Sequence, residues 1–218
     1  MKKAVLFDLD GTLWDSGESV TASWNIVLRR HGRKEMTLQE VHAQMGKTMA
    51  QIGLDLFPDL GAEGSMNLMR ECVAEEDEYL KNHGGRIYAG VAETFRALRE
   101  QGFFVGIVSN CQVGYIETFL EYYGLTELVD DTENYGHTGF GKGHNIGLVV
   151  ERNALGPVLY IGDTIADYTA AKEAGTLFVH AAYGFGEVPE GTPAIRDIRE
   201  LPEKAAAILD RDGGNQVK

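Results

Sequence analysis

The sequence predicts an α/β protein, a doubly wound parallel sheet carrying an inserted all-helical unit. Three observations predict it. Short continuous apolar runs recur along the chain, as expected of strands buried on both faces of a parallel sheet. Longer stretches with helical spacing separate them, and such alternation puts helices on both faces of the sheet. One region, residues 16–85, breaks the alternation and carries only helical pattern.

In chain order, Ala4-Val5-Leu6-Phe7 is the first strand. In the helical region that follows, Ser19 is placed to cap a helix running to His31. Thr37, with Glu40 three residues on, makes a capping box for a second helix, and Met66, Met69, Val73 and Asp77 trace a third. The α/β rhythm resumes near Ile87. Val91 to Gln101 reads as a helix, Phe103 to Val108 as a strand, and Val113 to Tyr123 as a helix stopped by Gly124. Leu128-Val129-Asp130-Asp131 is a weaker strand candidate. Asn145 to Arg152 is a helix, Pro157 to Ile161 a strand, Ile165 to Ala174 a helix stopped by Gly175, and Thr176 to His180 a further strand. The expected domains are a core of residues 1–15 and 86–218 and a helical unit of residues 16–85. Ligands of such sheets bind beyond the carboxyl ends of the strands, where an insertion after the first strand forms a lid.

Composition narrows the function. The chain has 218 residues with 20 Lys+Arg against 33 Asp+Glu, a formal net charge of −13. Nucleic-acid binding needs a clustered basic surface, and here the basic residues are outnumbered and scattered. An anionic membrane surface is disfavoured for the same reason. Hydrophobic residues make up 44%, enough for a core, yet no apolar run reaches the roughly 18 residues of a membrane span. The apolar start after Lys2 and Lys3 is cut by Asp8 and Asp10, so it does not read as a signal peptide. Cys72 and Cys111 make no disulfide framework and have no metal-ligand spacing, and the six histidines show no zinc-like grouping. A reducing, cytoplasmic setting is expected.

Four places at strand ends carry candidate chemistry. The first strand runs into Asp8-Leu9-Asp10-Gly11-Thr12, two carboxylates leaving a buried strand. Unpaired carboxylates at the edge of a core are costly, and a hard cation such as Mg²⁺ removes the cost. Read alone, the segment is equally an acidic turn. The second motif is Ser109-Asn110, a hydroxyl and backbone N–H groups at a strand end, or simply a helix cap. The third is Lys142 in Gly139-Phe140-Gly141-Lys142-Gly143, or a solvated loop lysine. The fourth is Gly162-Asp163-Thr164-Ile165-Ala166-Asp167, whose carboxylates also suit a helix N-terminus. The set in this order is far more specific than any one member.

Asp8-x-Asp10-Gly11-Thr12, Ser109, Lys142 and Gly162-Asp163-x-x-x-Asp167 together resemble the four motifs of the haloacid-dehalogenase-like hydrolases over essentially the whole chain. The likeness is to phosphoglycolate-phosphatase-like members with a helical cap. The resemblance implies a Rossmann-like core with residues 16–85 as a mobile cap. It implies a Mg²⁺-dependent phosphatase acting on a small phosphate ester, as a monomer or homodimer. Asp8 would attack phosphorus and form an aspartyl-phosphate, and Asp10 would act as general acid and then base. Asp8, the Asp10 backbone carbonyl and Asp163 would hold Mg²⁺. Ser109 and Lys142 would bind phosphoryl oxygens with amides near Gly11 and Asn110, and Asp167 would orient Lys142 or a metal-bound water. The chain departs from many relatives at Gly143, where they place proline, at Ala89 before Gly90-Val91, and in Asn110-Cys111-Gln112. None of these alters the implied chemistry, in which a Cys111 thiol has no role.

Two other activities share parts of this pattern. Sugar phosphomutases resembling beta-phosphoglucomutase share the chemistry but carry a cap arginine three residues after a glycine, and Met49 stands three after Gly46. A non-catalytic binding protein would not be expected to fill every catalytic position. A dehalogenase would lack Asp10, and a phosphonate hydrolase needs a cap lysine, for which only Lys47 or Lys81 is on offer. Gly46-Lys47-Thr48 imitates the end of a P-loop, yet Val41 stands where the first glycine is required. Cap candidates for the substrate pocket are Lys47, Thr48, Gln51 and Arg70, with Met45, Met49, Met66 and Met69 more plainly helix packing.

Overall fold

A computed structural model describes residues 1–213. The chain runs β1 (Lys2–Phe7), β2 (Trp14–Asp15), α1 (Gly17–Arg30), α2 (Leu38–His42), α3 (Met49–Leu56), α4 (Gly61–His83), β3 (Arg86–Ile87), α5 (Val91–Glu100), β4 (Phe104–Ser109), α6 (Tyr115–Tyr123), β5 (Asp131–Asn134), α7 (Tyr135–Thr138), α8 (Lys142–Arg152), β6 (Leu155–Gly162), α9 (Ile165–Glu173), β7 (Leu177–Ala181), β8 (Ala194–Ile195) and α10 (Leu201–Gly213).

Six strands form one sheet in the order β5-β4-β1-β6-β7-β8, and every neighbouring pair in it is parallel. Side-chain alternation divides the sheet between two cores. Val5 and Phe7 of β1, with Val105, Ile107, Leu159 and Ile161, pack on Phe95, Leu98, Phe119 and Leu201. Ala4 and Leu6, with Val108, Val158 and Tyr160, pack on Ile146, Val149, Ala170 and Ala171. Both faces of each central strand are therefore apolar, which is why these strands read as unbroken runs.

The chain leaves β1, builds β4 and β5 to one side, and then crosses to β6 on the other. The carboxyl end of β1 is thus the point where strand order reverses, the place such sheets bind ligands. Above it stand α1 to α4 with their own core of Val20, Trp24, Leu28, Ile52, Leu68, Met69 and Cys72. Just outside residues 16–85 the chain pairs with itself. Trp14 lies opposite Ile87 and Asp15 opposite Arg86 in a short antiparallel ribbon. Asp15 also holds Arg86 at 2.9 Å and His42 at 3.0 Å. Among the described residues no helix is long and apolar enough to cross a membrane.

Local expectations meet three corrections. Helix α1 is capped at Ser16, not Ser19, and Ser16 makes no side-chain cap because its hydroxyl is turned 2.7 Å onto Asp10. Ser19 lies in the first turn, donating 2.5 Å to the Gly84 carbonyl. The strand expected at Leu128–Asp131 begins only at Asp131. Thr126–Leu128 is a 3₁₀ turn, and the Asp130 carboxylate accepts from the Val105 N–H at 2.9 Å. Helix α8 starts at Lys142, three residues earlier than expected, which lifts the lysine out of the loop and into a first turn. The capping box Thr37–Glu40 opens α2 with both of its bonds.

Candidate active site

The three central strands deliver the sequence-selected residues to one place. Asp8 follows β1, Ser109 ends β4 and Asp163 follows β6, while Lys142 and Asp167 open onto them from α8 and α9. Asp8, Ser109, Lys142, Asp163 and Asp167 are all buried. The Lys142 ammonium lies 2.5 Å from Asp167 Oδ1 and 2.8 Å from Asp8 Oδ1. Beyond this ion pair Asp8 Oδ1 accepts no other hydrogen bond. Asp167 is fixed from behind: its Oδ2 accepts from the Thr164 N–H at 2.9 Å and the Thr164 hydroxyl at 2.6 Å, closing the capping box of α9.

Asp163 accepts the Phe185 N–H at 2.7 Å through Oδ2, while Oδ1 is buried without a partner. Gly11 explains how the turn after β1 comes so close. Its φ is +81°, and a Cβ there would lie 2.2 Å from Asp163 Oδ2. Gly184 is equally constrained, its Cβ position being 2.3 Å from Asp163 Cβ.

Asp10 faces elsewhere. Its Oδ1 takes the Ser16 hydroxyl at 2.7 Å, and the Tyr115 hydroxyl stands 3.0 Å from that oxygen and 2.8 Å from Ser16 Oγ. Asn110 joins core to cap, its side-chain amide donating to the Gly46 carbonyl at 2.9 Å.

Burial governs the charges. It raises Asp8 to about 8, with repulsion from Asp167 adding and Lys142 opposing. It raises Asp163 to about 7, again with Asp167 adding. Asp10 is raised by burial to about 6, against the pull of its bonds from Ser16 and Tyr115. For Lys142 burial works downward, but Asp167 and Asp8 outweigh it and hold the ammonium well above its ordinary range.

Oxygens of Asp8, Asp163 and Asp167 all lie within 4.8 Å of one another. Three buried carboxylates face one lysine, and Asp163 Oδ1 has no partner. Buried charge of that kind is stable only when paired or coordinated, and an all-oxygen donor set suits a hard divalent cation. The residues present fit such an ion. Asp10 contributes no carboxylate to this cluster, its Oδ1 being held by Ser16 and Tyr115.

Cap residues sort differently from their expectation. Lys47, Met45 and Met49 line a cavity of about 40 Å³ between cap and core, together with Asp8, Asp10 and Ser109. Thr48 and Gln51 are instead occupied with each other as the capping box of α3. Arg70 is exposed and bonds Asn67, and Met69 lies in the cap core. Cys111 lines the cavity, but burial pushes its thiol well up, against thiolate chemistry. Residues not anticipated here are Ser16, Tyr115, Phe185, Glu76 and Gln112. Glu76 is 1% exposed in α4, accepting from Trp24 Nε1 at 2.5 Å and from Gln112 Nε2 at 2.9 Å. Its only sequence signal was an acid on the apolar side of a helix.

Comparisons with known proteins agree with this architecture. The family model described as haloacid dehalogenase-like hydrolase matches residues 5–181. A phosphoglycolate phosphatase of Nitrosospira multiformis is 30% identical over 207 residues, covering 91% of this chain and 88% of the relative. An N-acetylmuramic acid 6-phosphate phosphatase of Pseudomonas aeruginosa is 28% identical over 217 residues, covering 96% and 95%. The crystal structure of a Bacteroides fragilis protein assigned to the haloacid dehalogenase-like hydrolases superposes with a TM-score of 0.81 at 26% identity, over 92% of this chain and all of that one. The chain belongs to the haloacid dehalogenase-like hydrolase family, and within that family it is phosphoglycolate phosphatase-like.

Proposed function

We propose that this protein is a Mg²⁺-dependent phosphatase of a small phosphorylated metabolite, working through an aspartyl-phosphate on Asp8. The observation that carries the reading is the Lys142 ammonium between Asp8 and Asp167, beside the unpartnered Oδ1 of Asp163. Mg²⁺ would be held by Asp8, Asp163 and the Asp10 backbone carbonyl, and when bound supplies positive charge against the transferring phosphoryl group.

Asp8 attacks phosphorus through a carboxylate oxygen, and the ester oxygen leaves. Asp10 gives that oxygen its proton and later takes one from the attacking water. Its carboxyl, raised to about 6 by burial, is suited to carry a proton near neutrality, and Ser16 and Tyr115 fix its direction. Lys142, anchored by Asp167, stays beside the nucleophile and faces the phosphoryl oxygens. Ser109 and the amides near Gly11 and Asn110 donate to the same oxygens. Phosphoryl transfer asks mainly for positioning and charge neutralisation, which this set supplies. Residues 16–85 act as the cap that excludes water, with Asn110 and Gly46 meeting on closure. Met49, at the position of the mutase arginine, is an apolar part of the cavity wall, which supports hydrolysis over phosphoryl return.

The test is orthophosphate release from a panel of phosphorylated metabolites with Mg²⁺, phosphoglycolate and N-acetylmuramic acid 6-phosphate included. Turnover by the native chain that disappears in Asp8→Asn is expected. Folded protein inactive on every ester, or an active Asp8→Asn, overturns the reading.

A further inference from the structure

The cavity between cap and core is rich in hydrogen-bond acceptors and poor in free donors. Gln112 Oε1 and Asn110 Oδ1 are both buried without a partner. Their orientation is fixed by the opposite end of each amide, since Gln112 Nε2 donates to Glu76 and Asn110 Nδ2 to the Gly46 carbonyl. A flipped amide would set oxygen against oxygen in both places. Glu76, kept protonated near neutrality by burial, accepts one bond at each oxygen. Two of the nearby donors are already engaged. Trp24 Nε1 is spent on Glu76, and Lys47, the lone cation among the lining residues, is held by Gln44 at 3.0 Å and Asp55 at 2.7 Å.

We propose, building on the phosphatase reading, that this cavity takes the leaving group of a short, uncharged, hydroxyl-bearing phosphate ester. Gln112 Oε1 and Asn110 Oδ1 accept its hydroxyl hydrogens. A leaving group that is itself a carboxylate meets these two amide oxygens, while the lining cation, Lys47, is paired with Asp55. Buried acceptors left unpaired by the wrong ligand are costly, so the discrimination is expected to be large.

The full chain with Mg²⁺ is assayed on glycerol 3-phosphate, 2-phosphoglycolate and para-nitrophenyl phosphate. The expected result is a kcat/KM for glycerol 3-phosphate about tenfold or more above that for 2-phosphoglycolate. In Gln112→Leu, the KM for glycerol 3-phosphate rises about tenfold while para-nitrophenyl phosphate loses less. Equal or better turnover of 2-phosphoglycolate, or of para-nitrophenyl phosphate alone, overturns the polyol assignment and leaves the phosphatase standing. An equal loss on both esters in Gln112→Leu does the same, since it marks a merely structural side chain. Inactivity on all three esters overturns the polyol assignment, and activity on any other ester of the panel then leaves the phosphatase reading standing.

Discussion

Gly11 and Asp163 touch because Gly11 has no side chain: a Cβ built on it would stand 2.2 Å from Asp163 Oδ2. The same residue holds φ at +81°, a conformation that costs other residues roughly 1–2 kcal/mol. Gly11→Ala is therefore expected to lower the melting temperature and to push Asp163 off its position. A displacement near 1 Å at a reacting centre costs about 10²-fold in rate. Steady-state kinetics and a thermal melt on the same preparation check both, and an unchanged kcat/KM would show that Asp163 is not held in place through Gly11.

Lys142 is the one cation among buried Asp8, Asp163 and Asp167. Removing one partner of a buried ion set leaves uncompensated charge and costs about 3–5 kcal/mol. Lys142→Met should show a loss of that order in denaturant unfolding without metal at neutral pH. Adding Asp167→Asn should restore part of it. Additive losses in the double variant would contradict the coupling.

Mg²⁺ should raise the melting temperature of the native chain, because a ligand that binds only the folded state stabilises it by mass action. At a hundredfold excess over Kd the gain is about 2.7 kcal/mol. Asp163→Asn removes the carboxylate with an orphaned oxygen and should flatten the response to Mg²⁺. Chelation of the native chain should return its melt to the metal-free value. If the native and Asp163→Asn melts respond alike, Asp163 is not a ligand.

Glu76 provides a pH test remote from the metal. Burial raises it from 4.5 to about 8, so between those values the folded state keeps a proton that the unfolded state has lost. The stability associated with this proton is whole below about pH 4.5 and is lost as pH rises toward 8. Each pH unit is worth about 1.4 kcal/mol for one group. Glu76→Gln abolishes the titration, and the difference in stability between the native chain and the variant should shift across that window. A difference independent of pH would place the Glu76 proton outside folding.

The sheet was legible because both faces of β1, β4 and β6 are buried, so Val5, Phe7 and their neighbours appear as unbroken apolar runs. Edge strand β5 escaped, since Asp131-Thr132-Glu133-Asn134 has no apolar pattern and takes its place by pairing with β4. The motif residues were legible by type and order, and Asp8, Ser109, Lys142, Asp163 and Asp167 converge as the strand order requires. What was not legible is everything that long-range packing decides. The hydroxyl of Ser16 looks like a helix cap locally but is drawn onto Asp10. Phe185 serves Asp163 through its backbone, which no side-chain motif records. Glu76 and Gln112 lie far apart along the chain and meet only once the cap sits on the core. Thr48 and Gln51 were attractive as pocket residues, but starting α3 consumes both.

The ribbon that pairs Asp15 with Arg86 also bears on how the chain can assemble. In the finished sheet β1 must find β4 across the four helices of the insertion and α5. Loop-closure entropy grows with the length of free chain, by about 0.6 kcal/mol per doubling, and distant pairings slow folding. The helices, however, bury a core made wholly from their own contiguous residues. Once they pack, the two ends of the insertion are already side by side, and β1 and β4 are separated only by the turn before β2 and by α5 with its flanking turns. An interruption that looks like an obstacle to the sheet thus becomes a preformed splice between its central strands.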